Sequence, residues 1–210
     1  MSLECLLNSY EKRKHDIKKR LREFKEVFSE MDERIFAELC FCICTPQSRA
    51  RLCNKAISGL ERSGVLFTGD YEKVLSFLRG VRFPENKARY IIGARRFFTK
   101  DGTIKIKERL TGSPTDIRRW LAENVKGIGY KEASHFLRNV GLGENLAILD
   151  RHILKNLKKY GVIDEISKSL TRKKYLEIEK KMLEFSRKIN IPLAELDLLF
   201  WSEETGEIFK

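Results

Sequence analysis

Apolar residues recur along this chain at offsets of three and four with charged residues between them, which is the spacing of amphipathic helices. Ile17, Leu21, Phe24 and Phe28 form one such stripe, opposed by a strongly basic face. A second helix is predicted from Asp32, with Ile35, Leu39 and Ile43 inward, and Pro46 ends it because proline lacks an amide hydrogen and disfavours helix at the residue before it. A third should begin near Gln47 or Ser48 and run to Gly59 with Leu52 and Ala56 buried. Asp70 can cap a short helix bearing Val74, Leu75 and Leu78, and Pro84 suits the first turn of the next.

Ser113-Pro114-Thr115-Asp116 is a strong helix start, leading through Ile117, Trp120 and Leu121 to the break at KGIG. Beyond it a helix is predicted from about Tyr130 to Val140, stopped by Gly141. Asp150 caps the next, which Gly161 ends. Thr171 opens a long one through Tyr175, Ile178, Met182 and Phe185, and Pro192 a last one through Leu196, Leu199 and Phe200. The segment TKDGTIKIKERL has a strand pattern too short to define a sheet. The expected fold is therefore all-α. Two lobes are expected, residues 1–34 with 145–210 and residues 35–144.

Composition narrows the function. The 42 Lys and Arg outweigh 30 Asp and Glu, so the formal charge is +12 and polyanions, nucleic acid first, become the expected partners. A hydrophobic fraction of 42% supports a packed core beneath that charge. No apolar run is long enough for a membrane span and the N-terminus lacks a secretory pattern, so a cytoplasmic, nucleoid-associated protein without membrane contact is expected. The five cysteines match neither a zinc pair nor a disulfide ladder and are expected to be buried thiols. No cysteine follows Cys53, which leaves no ligand set for a C-terminal iron–sulfur cluster, and histidines at 15, 135 and 152 form no metal-ligand spacing. Neither metal nor cofactor is expected.

The chemistry concentrates in WLAENVKGIGYKEASHFLRNVG, two helices about Gly127 and Gly129, within a helix-hairpin-helix of about residues 113–140. Glycines flanking Ile128 allow a tight turn, and the following helix presents free amide hydrogens beside bare backbone, a site for a DNA phosphate. The same glycines would also serve merely to close a helical hairpin. Lys131 lies in the first turn of that helix, where a positive charge opposes the helix dipole. That is a poor place for a solubilising lysine and a suitable one for an amine nucleophile or a phosphate contact. Asp150, nineteen residues on (150 − 131 = 19), caps its own helix, and the spacing lets both N-termini reach one cleft.

Arg82 and Phe83 form a loop pair able to contact a phosphate and wedge between bases, although Phe83 would equally fold into a core. Trp201 offers a flat face for a purine, or a core side chain. Asp197 offers a carboxylate for a purine edge, or faces solvent.

GIGYKEASHFLRN together with LAILDRHIL resembles the helix-hairpin-helix superfamily of DNA glycosylases, and more narrowly the compact 8-oxoguanine DNA glycosylase/lyases of archaea and some thermophilic bacteria. The resemblance extends from TPQSRA to WSEETGEIFK. It implies that Lys131 attacks the sugar of the damaged nucleotide, that Asp150 stabilises positive charge there, that Gln47 lies near the gap left by the extruded base, and that the C-terminal Lys210 lies near the lesion. A Schiff base would then lead to strand cleavage by β-elimination. The partner implied is double-stranded DNA containing an oxidised purine, bound by a monomer. Two alternatives stay open from sequence: a glycosylase for another lesion, and a DNA-binding module without catalysis.

Overall fold

The computed structural model describes residues 2–167 and 169–210. Among them the chain runs through α1 (Leu3–Val27), α2 (Asp32–Cys44), α3 (Ala50–Arg62), α4 (Val65–Thr68), α5 (Tyr71–Phe77), α6 (Pro84–Phe98), β1 (Thr99–Lys100) and β2 (Thr103–Ile104). A 3-10 turn at Lys107–Arg109 follows, then α7 (Pro114–Asn124), α8 (Tyr130–Asn139), α9 (Arg151–Lys159), α10 (Arg172–Lys188) and α11 (Leu193–Thr205). The strands make one two-residue antiparallel ladder, Thr99 opposite Ile104 and Lys100 opposite Thr103. The fold is all-α.

The described residues form two compact units, one of residues up to Glu26 with Leu137–Lys210, the other of Val27–Phe136. Both boundaries fall earlier in the chain than residues 34 and 144. Asp32 belongs with the central unit because its carboxylate accepts the Lys107 amide at 2.8 Å. Residues after Phe136 belong with α1, since Gly141 packs against the Lys25 backbone and Lys25 pairs with Glu144 at 2.5 Å.

In the central unit α2 is the core element. Every residue from Ile35 to Cys44 is buried, including Cys40, Cys42 and Cys44. Two predicted burials fail. Leu52 is 40% exposed, because α3 turns Cys53, Ala56, Ile57 and Leu60 inward instead. Cys5 is exposed on the first turns of α1, unlike the other four thiols.

The terminal unit buries Leu6, Tyr10, Ile17 and Phe24 of α1 and the continuous run Leu193–Phe200 of α11. Tyr10 donates to Glu195 at 2.6 Å across these two helices, and Tyr160 stacks on Phe200 with ring centres 5.6 Å apart. Side-chain caps begin α5, α7, α9 and α10, supplied by Asp70, Ser113, Asp150 and Thr171.

Candidate active site

The hairpin between α7 and α8 lies in the central unit. Gly127 has φ +91°, a region that L side chains rarely adopt, and a β-carbon there would come within 2.5 Å of the Tyr90 ring. Ile128 is buried, and its amide bonds to the Val125 carbonyl at 3.1 Å, closing the turn. The Gly129 carbonyl accepts the Ala133 amide, which makes Gly129 the N-cap of α8. Glu132, at the third helical position, reaches back to accept the Gly129 amide at 3.2 Å, one half of a capping box. A β-carbon at Gly129 would meet only that flexible carboxylate, at 3.1 Å. Gly127 thus shapes the turn, while Gly129 presents the bare backbone.

Lys131 is part-buried on the first turn of α8. Its Nζ lies 3.1 Å from Glu132 Oε1, so Glu132 joins the hairpin amide to the candidate nucleophile. Arg118 of α7, 1% exposed, holds this end of α8 with its guanidinium carbon 5.0 Å from the Tyr130 ring centre and a bond to Ser134 Oγ at 3.3 Å. This buried arginine was not singled out from sequence.

Asp150 lies in the terminal unit. The chain before it, Leu146–Leu149, is buried and pinned by α10: Tyr175 donates to the Ala147 carbonyl at 2.6 Å and Glu179 accepts the Ala147 amide at 2.8 Å. Asp150 Oδ1 takes both the His152 and Ile153 amides at 2.8 Å. Oδ2 has no hydrogen-bond partner among the described residues, and the residue is half-buried. The cap therefore occupies one oxygen and leaves the other to a ligand.

Gln47, Arg82 and Phe83 are brought together in the central unit. All three are exposed, and the Arg82 guanidinium lies 5.0 Å from the Phe83 ring centre. Phe83 is 49% exposed, so it is not a core side chain. The Arg82 amide donates to Ser48 Oγ at 2.9 Å, which links this loop to the one bearing Gln47.

The three lesion-pocket candidates fall in the terminal unit. Trp201 is part-buried with its ring 6.4 Å from that of Phe209, and Lys210 is part-buried beside it in sequence. Asp197 neither faces solvent nor stands open to a purine edge. It is buried and ion-paired with Arg138, which also donates to Asn139 Oδ1 at 3.1 Å. That partner lies fifty-nine positions earlier, beyond the reach of local pattern. His152 Nδ1 lies 3.8 Å from Glu204, and among the described residues no group of three or more His, Cys, Asp or Glu is arranged to hold a metal. Among the same residues no helix is long and apolar enough to cross a membrane.

An all-α chain with a glycine hairpin, a lysine on the helix it starts and an aspartate capping another helix has the make-up of a helix-hairpin-helix DNA-processing protein. Residues 17–191 match the family described as 8-oxoguanine DNA glycosylase, and the chain belongs to that family. The "8-oxoguanine DNA glycosylase/AP lyase" of Fusobacterium nucleatum is 48% identical over 204 residues, covering 96% of this chain and 94% of that one. The protein of the same name from Methanocaldococcus jannaschii is 42% identical over 198 residues, covering 92% and 91%. A crystal structure of the Methanocaldococcus jannaschii 8-oxoguanine glycosylase/lyase in complex with a 15mer DNA containing 8-oxoguanine superposes with a TM-score of 0.87 at 39% identity, covering 98% of this chain and all of that one.

Proposed function

We propose that this protein removes 8-oxoguanine from duplex DNA through a Schiff base on Lys131 and then cleaves the strand on the 3′ side of the abasic site. The observation that carries this reading is the seat of Lys131, part-buried on the first turn of α8 directly behind the hairpin backbone of Gly129. The family membership supports the substrate, since relatives that match 96% and 92% of the chain are named for 8-oxoguanine and for the lyase step.

The hairpin amides bind a phosphate and set the register of the strand. The lesion nucleotide leaves the stack because its glycosidic bond is inaccessible within the duplex. Phe83 wedges into the step, and Gln47 and Arg82 occupy the space beside the widowed base. The neutral Lys131 amine attacks C1′, forming a carbon–nitrogen bond as the bond from C1′ to the base breaks and the base leaves with its electron pair and a proton. Asp150 Oδ2 stabilises the positive charge that develops on the sugar. Opening of the sugar ring gives a protonated Schiff base, whose electron demand acidifies C2′. Loss of that proton expels the 3′ phosphate, and water releases Lys131 from the remaining sugar. Trp201 and Lys210 are assigned to the extruded base. One chain carries both Lys131 and Asp150, so the reading requires no second copy.

Borohydride trapping tests it, on a duplex with one 8-oxoguanine opposite cytosine and an undamaged control. The expected result is a covalent adduct formed only with the lesion by the native chain, and none with Lys131→Gln. An adduct undiminished in Lys131→Gln would overturn the assignment of the nucleophile. No adduct with the native chain, alongside intact DNA binding, would overturn the lyase reading in favour of a binding module.

A further inference from the structure

Lys87 occupies the first turn of α6 and is 4% exposed. A buried ammonium has three hydrogens to place. Nζ donates them to the Cys44 carbonyl at 2.5 Å, the Pro46 carbonyl at 2.9 Å and Ser48 Oγ at 3.0 Å. The Cys44 carbonyl ends α2 and has no continuing helix to pair with. Burial pushes the Lys87 amine below the ordinary lysine value, with the nearby charge of Lys131 acting in the same direction.

The segments this side chain joins are conspicuous in their backbone. Among the described residues the non-glycine positions with positive φ are Gln47, Phe83, Asp101 and Asn190. Asp and Asn adopt that region readily through their short polar side chains, whereas Gln and Phe do not. Gln47 has φ +57° and Phe83 φ +55°. Strain of this kind persists only where surrounding bonds over-determine it. Here Lys87 and Ser48 supply those bonds. The residue before Gln47 gives its carbonyl to Lys87 Nζ, and the Phe83 carbonyl accepts the Lys87 amide at 3.2 Å. Ser48, directly after Gln47, accepts the Arg82 amide, directly before Phe83.

We infer that Lys87 is a positioning residue for base extrusion, its ammonium and Ser48 locking Gln47 and Phe83 into a preformed pair of probes presented to the duplex. The inference rests on the reading of Gln47 and Phe83 as gap and wedge residues. Side chains held in place before binding need not be ordered on binding, which spares that cost at the moment the base is displaced. A lysine that only capped α2 would support the fold without acting through these two residues.

The test follows extrusion by stopped-flow fluorescence of 2-aminopurine placed next to 8-oxoguanine in a duplex, at saturating protein. The native chain is compared with Gln47→Ala/Phe83→Ala, with Lys87→Met and with the triple variant. Gln47→Ala/Phe83→Ala should slow extrusion by about tenfold or more, as loss of two ordered contacts implies. Lys87→Met should slow it nearly as far, and the triple variant should be no slower than Gln47→Ala/Phe83→Ala. Effects that multiply in the triple variant, or a native rate in Lys87→Met, would overturn the role of Lys87. A native rate in Gln47→Ala/Phe83→Ala would instead overturn the wedge reading itself, and the inference with it. Should Lys87→Met fail to fold, Ser48→Ala removes the shared hydroxyl and leaves both carbonyl bonds. It should then show the same non-additive slowing at about threefold, as loss of one neutral hydrogen bond implies, and a multiplicative effect overturns the inference.

Discussion

The two hairpin glycines should fail in different ways when each is replaced by alanine. At Gly127 the added β-carbon meets two costs, a backbone at φ +91° and a 2.5 Å approach to the Tyr90 ring. The left-handed backbone costs roughly 1–2 kcal/mol for an L-residue. Overpacking adds about 1 kcal/mol, the low end of its range, because Tyr90 is only half-buried and can shift. Gly127→Ala should therefore lose about 2–3 kcal/mol, a drop in Tm of about 4–12 °C for a chain of this length. Gly129 does not have positive φ, and the atom its β-carbon would meet is the end of the Glu132 side chain. Gly129→Ala should keep Tm within about 2 °C, since surface changes away from strain cost little. What it loses is the approach of a phosphate to the free amides that open α8 beside it, worth about 1.5–3 kcal/mol for a bond to a charged group, or a tenfold or larger rise in Kd. Differential scanning fluorimetry and fluorescence anisotropy with a lesion duplex at fixed salt separate the two. The reasoning is refuted if Gly129→Ala binds DNA like the native chain, or if Gly127→Ala melts with it.

Asp150→Asn should leave Tm nearly unchanged, because asparagine caps as well as aspartate, while excision measured in single turnover falls by about a hundredfold or more through loss of the charge facing the sugar; a rate within threefold of native would remove Asp150 from the chemistry. Arg138→Met takes the ion-pair partner from the buried Asp197 carboxylate and should cost about 3–5 kcal/mol in urea unfolding, whereas Arg138→Met/Asp197→Leu should recover most of that loss. A double variant as unstable as the single one would show that the ion pair is not the cause. Glu204 is held below the ordinary carboxylate range chiefly by the hydrogen bond from Lys155, with His152 adding to it. A carboxyl whose folded value is depressed contributes stability above its unfolded value and loses it as pH falls through the folded one. Lys155→Met should thus cost about 0.2–1 kcal/mol at pH 7, and the difference should shrink below about pH 4, the unfolded glutamate value. A difference that grows towards acid in thermal melts would contradict that sign.

Local chemistry explains what could be read from the chain itself. Asp70, Ser113, Asp150 and Thr171 each accept an amide within three residues, so the signal and its partner lie in one window of sequence. Leu52 shows where such windows fail. Leu52 with Ala56 and Cys53 with Ile57 are equally good helical pairs, and which face turns inward depends on how the chain enters α3. It enters through Gln47 in a left-handed conformation, which a helix start at Gln47 itself would not allow, and the helix begins only at Ala50. Asp197 fails for a related reason. It sits in the continuously buried run of α11, where periodicity has no outer face to report, and its partner Arg138 is far away in sequence.

Lys87 is the instructive omission, because the argument that singles out Lys131 applies to it unchanged. Both lysines stand in the first turn of a helix, where the dipole opposes their charge. Arg34, Arg51, Lys73, Arg151, Arg172, Lys173 and Lys174 occupy first turns as well, and all of these but Arg34 and Lys174 are exposed to water that screens the opposition. The dipole argument alone therefore returns nine cations and cannot rank them. Burial sorts them: Lys87 is enclosed, Lys131, Arg34 and Lys174 are part-buried, and the other five are open. A misplaced charge that the fold also withdraws from solvent carries an energetic cost that only specific partners offset. Lys87 has found its partners in the Cys44 and Pro46 carbonyls and Ser48. Lys131 pairs with Glu132, and of the three part-buried cations it alone stands on the helix that the glycine hairpin starts, which is where the proposed mechanism needs an amine.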